Sequence, residues 1–443
     1  MIDLSINFAG IKAPNPFWLA SAPPTNSGYQ IMKAFEAGWG GAVWKTLGVP
    51  VINVSSRYGA LNYRDTRMSG FTNIELISDR TLSANLREIE EVKKYFPNHA
   101  LVVSLMVETR KEWNQIIRDV ENAGADGIEL NFGCPHGMCE RGMGSAVGQE
   151  PAVLKTIVEW VMDAARIPVI TKLTPNISNI EDPGLAAVQG GTNAISLINT
   201  FKSIIGIDLD SFAPYPSVDG KGTNGGYCGP AVKPIALNMV RQLAQHPDIA
   251  GTPISGIGGI ETWRDVVEYI LLGATSVQVC TAVMHYGFGI VREMDSGLRR
   301  FMEERGFETI YDFAGKALPN VVEWKDLNLK HKVVASINPG KCIGCQLCYI
   351  ACEDGAHQAI ALSGDPNNRV PEIIDENCVG CNLCSLVCPV EACITMEKRD
   401  PGTEQITWAE LSEADQIPAS FDDPRAGGND HFVPEPAKAL RKR

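Results

Sequence analysis

Two runs of closely spaced cysteines stand out in the C-terminal part of the sequence. The first is Cys342-x-x-Cys345-x-x-Cys348-x-x-x-Cys352, and the second is Cys378-x-x-Cys381-x-x-Cys384-x-x-x-Cys388-Pro389. In such runs three thiolates wrap one four-iron cluster, and the fourth cysteine reaches the other cluster. The spacing therefore predicts two 4Fe-4S clusters, one held by Cys342, Cys345, Cys348 and Cys388 and the other by Cys378, Cys381, Cys384 and Cys352. Zinc also accepts four thiolates, but two runs of which the second ends in Cys-Pro favour iron–sulfur clusters.

A further cysteine, Cys134, lies in a glycine-rich segment that begins Asn131-Phe132-Gly133-Cys134-Pro135-His136-Gly137-Met138 and continues to Gly148. The segment follows a predicted strand, and its glycines suit a mobile lid. Cys134 is therefore a candidate catalytic thiol, with a structural thiol as the alternative. We interpret His136 as a hydrogen-bonding loop residue and Cys139 as incidental. Cys393, outside both cysteine runs, is interpreted as a core thiol.

Two lysines, Lys45 and Lys172, each end an apolar stretch. A buried lysine without a partner is costly, so we expect an anion or a polar, electron-rich ligand to meet each of them. The alternative is a buried lysine–carboxylate pair, which the sequence does not favour because neither stretch has an adjacent acid.

Glycines follow the seventh apolar stretch, in Ile257-Gly258-Gly259, and Cys280-Thr281 follows the eighth. Glycines at these positions would let backbone N–H groups approach a phosphate, as in many β/α barrels. No G-x-G-x-x-G motif follows a strand, so the sequence predicts no dinucleotide-binding Rossmann domain.

These residues lie at the ends of eight short apolar segments that alternate with eight helical patterns. The segments are Phe17–Ser21, Ala42–Thr46, Leu101–Met106, Gly127–Asn131, Pro168–Lys172, Ala194–Ile198, Pro253–Ile257 and Ser276–Cys280. Eight β/α units in about 300 residues predict an α/β fold, a (β/α)8 TIM barrel, with an open doubly wound sheet as the alternative. Polar strand ends on apolar strands suggest a polar mouth on an apolar barrel.

The sequence suggests four segments. Residues 1–312 form the barrel, 313–335 a linker that packs on it, 336–398 a ferredoxin-like domain with two clusters, and 399–443 an extended tail.

Charge and cysteine content narrow the function. The net charge of −13 argues against nonspecific binding to nucleic acid or an anionic membrane. Of 13 cysteines, nine fall between Cys342 and Cys393. Such crowding, with no visible signal peptide, predicts thiolate ligands in a reducing cytoplasm rather than disulfides. The uncharged stretch Tyr269–Val291 contains too many polar residues and glycines for a membrane span.

The motifs together resemble the dihydropyrimidine dehydrogenases, over residues 1 to about 398. The resemblance is to the pyrimidine-reducing subunit of the bacterial NAD-dependent enzymes and to the C-terminal half of the single-chain enzymes, with dihydroorotate dehydrogenases as broader relatives that share the FMN barrel. It rests on Ala20-Ser21-Ala22-Pro23, Phe35-Glu36-Ala37-Gly38-Trp39-Gly40, Lys45-Thr46, Asn73-Ile74-Glu75-Leu76, Cys134-Pro135-His136-Gly137-Met138, Lys172-Leu173-Thr174-Pro175-Asn176 and Ile257-Gly258-Gly259.

The resemblance implies a role for each matching residue. FMN would be held by Ser21, Ala22, Lys45, Thr46, Lys172, Gly229, Gly258, Gly259, Cys280 and Thr281. The pyrimidine would be bound by Asn73, Asn131, Phe132, Gly133, Asn199 and Thr200, and Cys134 would be the catalytic acid and base.

The implied reaction is the reversible, NAD-dependent reduction of uracil or thymine to the 5,6-dihydropyrimidine. FMN would give a hydride to ring carbon 6, and Cys134 would give a proton to ring carbon 5. An ordinary thiol, with a pKa of about 8.5, is mostly protonated at pH 7 and suits that role. Asparagine amides match the alternating donors and acceptors of the pyrimidine edge.

Electrons from NADH would have to arrive singly through the clusters. NAD and an FAD are therefore expected on a partner subunit that oxidises NADH, in a heterotetramer. Two alternatives remain. A dihydroorotate dehydrogenase-like enzyme with a fused ferredoxin would need a cation for the substrate carboxylate, and an electron-transfer module without its own substrate would not need the Cys134 thiol.

Overall fold

The computed structural model describes residues 2–49, 51–135, 138–362, 369–400 and 405–413, which form two compact units with a boundary between Asn320 and Val321. The segment predicted as a linker, 313–335, is divided between the units. Phe313 is fully buried in the core of the first unit, and the amide of Gly315 donates to the carbonyl of Ile270. The strand Lys332–Ile337 belongs to the second unit.

The first unit is a closed barrel of eight parallel strands that pair in chain order. They are β1 (Phe17–Leu19), β2 (Gly41–Leu47), β3 (Ala100–Leu105), β4 (Gly127–Asn131), β5 (Val169–Lys172), β6 (Ala194–Leu197), β7 (Ile254–Ile257) and β8 (Ala274–Val279). Each overlaps one of the predicted segments. The predicted (β/α)8 barrel is confirmed, and the open doubly wound sheet is wrong because β8 pairs with β1.

A helix follows each strand. The helices are α1 (Gly28–Ala37), α2 (Leu82–Tyr95), α3 (Arg110–Asn122), α4 (Pro151–Ala164), α5 (Glu181–Gln189), α6 (Lys233–Gln245), α7 (Trp263–Leu271) and α8 (Val291–Arg305), with short helices at Ser145–Gly148 and Thr281–Tyr286. Local sequence fixes several starts. Thr109 with Glu112, and Thr262 with Asp265, form capping boxes at α3 and α7, and Pro151 occupies the first turn of α4.

The interior of the barrel is polar, which corrects the expectation of an apolar barrel. The carboxylate of Glu129 on β4 accepts a hydrogen bond of 3.0 Å from the Gln278 amide on β8, on the opposite side of the barrel. Ser104, Ser196 and Ser276 are also fully buried. Successive side chains of a strand point to opposite faces, so the interior combines these polar residues with apolar ones such as Ile170, which is paired with Glu129.

Two smaller sheets flank the barrel, and neither was predicted. A hairpin of Ile6–Phe8 and Ile11–Ala13 precedes β1. A four-stranded antiparallel sheet contains, in order, Phe201–Ser203, Gly225–Cys228, Thr66–Asn73 and Tyr58–Tyr63. Its strands come from the segments that follow β2 and β6, so this sheet lies at the carboxyl end of the barrel, where β/α barrels place their active sites.

The second unit contains two antiparallel strand pairs and short helices. Lys332–Ile337 pairs with Ile394–Arg399, and Ile360–Leu362 pairs with Pro371–Ile373, with helices at Leu347–Gly355 and Leu383–Leu386. Cys393 is 2% exposed in its core.

Part of the predicted extended tail is helical. Trp408–Glu413 forms a helix, whose start is capped by Thr407 and Glu410 through two reciprocal hydrogen bonds. This threonine–glutamate spacing is a helix-start signal that the prediction of an extended tail overlooked. Residues 414–443, with the basic end Arg441-Lys442-Arg443, lie outside the described residues. Within the described part of the chain, the helices are too short or too polar to span a membrane.

Candidate active site

In the described part of the chain, a large cavity opens where the barrel strands end. Its volume is about 1160 Å³, and residues at the carboxyl ends of β1, β2 and β4 to β8 line it, together with Asn73 and Tyr58 from the antiparallel sheet.

The structure brings most of the predicted site residues to this cavity. Its lining includes Cys134 and the residues assigned to FMN and to the pyrimidine: Ser21, Ala22, Lys45, Thr46, Lys172, Gly229, Gly258, Gly259, Cys280, Thr281, Asn73, Asn131, Asn199 and Thr200. Phe132 and Gly133 are not among the lining residues. Phe132 is 2% exposed and packs in the barrel core, so its side chain does not face a ligand there.

Gly133 has a different role in the site, as a close neighbour of Asn199. A Cβ atom at position 133 would lie 2.3 Å from the Asn199 Cβ atom. Glycine at this position thus lets the segment that carries Cys134 approach the asparagine closely.

Hydrogen bonds fix the orientation of the asparagine amides. The Asn131 amide nitrogen donates to the Thr46 hydroxyl at 2.9 Å, and the Asn199 amide nitrogen donates to Asn131 Oδ1 at 3.0 Å. The Asn199 Oδ1 atom accepts from the Thr200 amide at 2.8 Å. Because an amide nitrogen carries two donors, each of the two asparagines has a second N–H that these bonds do not use and that can meet a ligand.

Both cavity lysines pair with buried carboxylates. Lys45 Nζ lies 2.5 Å from Glu75 Oε1, and Lys172 Nζ lies 3.3 Å from Glu129 Oε1. The alternative of a buried lysine–carboxylate pair is therefore confirmed for both lysines, and their contact with a ligand stays a prediction. The acids were missed because they are distant in sequence: Glu129 lies on β4, beside β5, and Glu75 follows the antiparallel sheet.

Glu75 is a cavity residue that the sequence analysis did not single out. Besides Lys45, it accepts hydrogen bonds from Arg57 at 3.1 Å and from the Tyr58 hydroxyl at 2.5 Å. Burial and this bond raise the pKa of Tyr58, so the phenol donates as a neutral hydroxyl. The signal in the sequence that could have identified Glu75 was its position two residues after Asn73, a predicted site residue.

Cys134 is buried, at 8% exposure. Residues later in its loop donate hydrogen bonds to its backbone carbonyl. Its carbonyl accepts hydrogen bonds from the Ser145 amide at 3.0 Å and from the Cys139 thiol at 2.8 Å. Cys139, interpreted from sequence as incidental, thus contacts the candidate catalytic residue. His136 and Gly137 lie outside the described residues, so the predicted lid is described only on either side of them.

The end of the cavity near β7 and β8 is lined by glycine and thiol groups. Gly259 has a φ of +67°, and a Cβ atom there would lie 3.0 Å from the Gly229 carbonyl oxygen and 2.7 Å from the Lys233 Cβ atom. Burial raises the pKa of Cys228 to about 11 and also raises that of Cys280. Both thiols are therefore neutral at pH 7, and neither would repel an anionic ligand group.

The second unit contains two cavities, each lined by one of the predicted cysteine sets. One, of about 360 Å³, is lined by Cys352, Cys378, Cys381 and Cys384, and the other, of about 320 Å³, by Cys342, Cys345, Cys348 and Cys388 together with Cys393. Among the described residues, no three His, Cys, Asp or Glu groups are arranged to hold a single metal ion. The ligand role of the cysteines stays a prediction.

The two cysteine loops have the same backbone conformation. Gly344 and Gly380, each before the second cysteine of its run, have φ values of +66° and +71°, and Gln346 and Asn382, each after it, have φ values of +63° and +68°. Backbone amides point at the sulfurs: Ala359 N lies 3.3 Å from Cys352 Sγ, and Gly344 N lies 3.5 Å from Cys342 Sγ. Such N–H···S bonds stabilise thiolates and tune the potentials of iron–sulfur clusters.

Comparison with known proteins covers both units. Residues 3–302 match the dihydroorotate dehydrogenase family, and residues 335–396 match the 4Fe-4S dicluster domain family. The chain is 44% identical over 362 residues to the NAD-dependent dihydropyrimidine dehydrogenase subunit PreA of Escherichia coli (strain K12), a match that covers 82% of this chain and 88% of PreA.

Two further relatives extend the comparison. The chloroplastic dihydropyrimidine dehydrogenase (NADP(+)) of Arabidopsis thaliana is 43% identical over 343 residues, covering 74% of this chain and 80% of the relative. The catalytic subunit of dihydroorotate dehydrogenase B (NAD(+)) of Thermococcus kodakarensis is 38% identical over 323 residues, covering 71% of this chain and 98% of the relative. The dihydroorotate enzyme is thus matched almost end to end by only part of this chain.

Proposed function

The chain belongs to the dihydropyrimidine dehydrogenases, within the dihydroorotate dehydrogenase family, and we propose that it reduces uracil or thymine to the 5,6-dihydropyrimidine in a reversible, NAD-dependent reaction. The observation that carries this proposal is the convergence of a buried thiol, Cys134, and the amides of Asn73, Asn131 and Asn199 on one cavity of the barrel. An electron-transfer module without its own substrate would have no need of that arrangement.

The charges of the cavity favour a neutral ring over a ring that carries a carboxylate. Its cationic lining residues in the described chain, Lys45 and Lys172, are paired with the carboxylates of Glu75 and Glu129, and one further lining residue, Glu261, is acidic. Burial raises the pKa of Glu261, but an anionic substrate would still meet acidic groups without an uncommitted cation. This balance supports uracil or thymine rather than dihydroorotate.

Two parts of the cavity support FMN binding. The glycines Gly229, Gly258 and Gly259 line the cavity and would present backbone N–H groups to a phosphate, and Lys172 and Gln278 offer polar contacts to the flavin ring. The remaining contacts would come from the residues that the resemblance assigned: Ser21, Ala22, Lys45, Thr46, Cys280 and Thr281. FMN bound there would supply a hydride to ring carbon 6 of the pyrimidine.

The proton for ring carbon 5 is assigned to the Cys134 thiol. A buried thiol, with its backbone carbonyl fixed by Ser145 and Cys139, has a defined position from which to donate. Positioned acids of this kind typically accelerate a reaction by ~10²–10⁴-fold. Asn73, Asn131, Asn199 and Thr200 would hold the ring by its carbonyl and N–H groups and so present one carbon–carbon bond to the thiol.

The two cysteine sets are proposed to hold two 4Fe-4S clusters that carry electrons singly to the barrel. Because the sequence has no dinucleotide fingerprint, we assign NADH oxidation, with NAD and FAD sites, to a partner subunit in a heterotetramer. PreA is itself named as a subunit of an NAD-dependent enzyme.

An assay of the chain with and without its partner tests this proposal. The isolated chain should not oxidise NADH at a useful rate, whereas an artificial one-electron donor should drive uracil reduction. Adding the partner should restore NADH-dependent loss of uracil, with dihydroorotate as the comparison substrate. Fast NADH oxidation by the isolated chain would show that the nicotinamide site lies on this chain and not on a partner. A preference for dihydroorotate over uracil would overturn the assigned substrate.

Metal content tests the cluster assignment. Anaerobically prepared chain should contain about eight irons, since each cysteine set would bind one four-iron cluster. Replacing Cys381 with Ser should remove about half of the iron, whereas Cys139→Ser, at a thiol in the barrel unit, should leave it unchanged. Zinc in place of iron, or four irons or fewer in the unmodified chain, would contradict the assignment.

A further inference from the structure

A polar cluster inside the barrel is only partly used by the proposed reaction. It consists of Glu129, Lys172, Ser196 and Gln278, contributed by β4, β5, β6 and β8, and we call it the interior cluster. Lys172 and Gln278 line the cavity, whereas Glu129 is fully buried behind them and is not a lining residue. Burying a carboxylate has a free-energy cost of several kcal/mol unless partners compensate for it, so its presence calls for a reason.

Glu129 binds all three other members of the interior cluster. Its Oε1 atom lies 3.3 Å from Lys172 Nζ, and its Oε2 atom accepts hydrogen bonds from the Ser196 hydroxyl at 2.8 Å and from Gln278 Nε2 at 3.0 Å. Ser196 and Gln278 are therefore oriented by hydrogen bonds to one carboxylate oxygen, whereas Lys172 is held by its charge, because Oε1 accepts no hydrogen bond among the described residues.

The carboxylate also decides which way the Gln278 amide faces. An ionised carboxylate only accepts hydrogen bonds, so Gln278 must present its nitrogen to Glu129, and its oxygen is left to face elsewhere. Among the described residues this oxygen, Gln278 Oε1, is buried and has no hydrogen-bond partner. A buried acceptor without a donor is destabilising, and because Gln278 lines the cavity, a ligand N–H is the fitting donor.

We propose that Glu129 is a positioning residue that presents Lys172 as a donor and Gln278 as an acceptor, and that this pair binds the adjacent C=O and N–H groups of the flavin ring. The inference rests on the proposed function, because it takes the cavity to hold a flavin. A pyrimidine substrate carries the same pair of groups, so the test must separate the two ligands.

The interior cluster also sets the charge that the flavin meets. The negative charge of Glu129 offsets the positive charge of Lys172, and the pair therefore gives less stabilisation to a ring that becomes anionic on reduction than Lys172 alone would give. Removing the carboxylate charge should make the bound flavin easier to reduce.

The first test is Glu129→Gln in the full chain, read out as the midpoint potential of the bound flavin against a reference dye. We expect the equilibrium constant for flavin reduction to rise about tenfold, which is ~30 mV for a two-electron couple. The matched control is Ser276→Ala, which removes a buried hydroxyl on β8 that bonds to Ser255 at 2.7 Å and belongs to no part of the interior cluster. The control should leave the potential unchanged.

The second test is Gln278→Leu, which removes the acceptor and keeps a side chain of similar length. The flavin dissociation constant should rise about tenfold, with the KM for uracil unchanged once flavin is saturating. A raised KM for uracil with normal flavin affinity would mean that the pair binds the substrate, and the flavin assignment would be overturned. If Glu129→Gln does not fold, Gln278→Leu decides the question alone.

These outcomes are separable from failure of the proposed function. A parent chain that binds flavin but does not reduce uracil would refute the proposed function and leave the flavin measurements valid. A parent chain that reduces uracil, with both variants matching Ser276→Ala in flavin potential and affinity, would refute the role of Glu129 and Gln278 alone.

Discussion

Replacing Cys134 with Ser should slow pyrimidine reduction by ~10²–10⁴-fold, which is the usual contribution of a positioned general acid. A hydroxyl has nearly the size of a thiol and can form hydrogen bonds, but its pKa is far higher, so it donates a proton poorly at neutral pH. The rate should be measured as uracil loss at saturating substrate with a one-electron donor. Flavin content and cluster spectra should match the unmodified chain, and flavin reduction through the clusters should survive.

The control for this prediction is Cys139→Ser, the same substitution in the same loop. The serine hydroxyl can still donate to the Cys134 carbonyl, as the Cys139 thiol does at 2.8 Å, so turnover should stay close to normal. Near-normal turnover of Cys134→Ser would show that Cys134 is a structural thiol, and His136 would become the next candidate. Loss of flavin from Cys134→Ser would show instead that the loop shapes the cofactor site.

The barrel could be predicted from sequence because its strands are apolar runs with a polar residue at one end. Asn131 is a residue that the prediction from sequence selected, and Glu129 is one that it missed. Asn131 ends β4 and was selected as a site residue, whereas Glu129, two residues earlier, points to the same side of the strand and was passed over. An alternation of polar residues within buried strands is the signal for a polar barrel interior.

The antiparallel sheet could not be predicted from periodicity. Most residues of the strand Tyr58–Tyr63 are exposed, and Gly225–Cys228 begins with two glycines, so neither segment shows the apolar alternation of a half-buried strand. This sheet nevertheless brings Asn73 and Tyr58 to the cavity. The lysine–carboxylate pairs could not be predicted either, because Lys172 and Glu129 are 43 residues apart in sequence and become neighbours only when β4 and β5 pair.

The pairing of Lys172 with Glu129 leads to a second large effect, on stability. Replacing Lys172 with Met should lower the free energy of unfolding of the barrel by ~3–5 kcal/mol, because it leaves a fully buried carboxylate without its counter-charge. Ser196 and Gln278 would still donate to that carboxylate, but neutral donors do not replace a cation. The measurement is chemical denaturation of the flavin-free chain, followed by tryptophan fluorescence, so that lost flavin contacts do not contribute.

Two comparisons make the prediction for Lys172→Met specific. Lys45→Met should be less destabilising, because Glu75 keeps the Arg57 guanidinium at 3.1 Å and the Tyr58 hydroxyl at 2.5 Å. The double variant Lys172→Met/Glu129→Gln should recover most of the lost stability, since it removes both charges and leaves an amide oxygen to accept from Ser196 and Gln278. A double-mutant cycle would then give a coupling energy of a few kcal/mol between the two positions. If Lys172→Met is no more destabilising than Lys45→Met, or if the double variant recovers nothing, Glu129 does not depend on the Lys172 charge, and the interior cluster is held together by its hydrogen bonds alone.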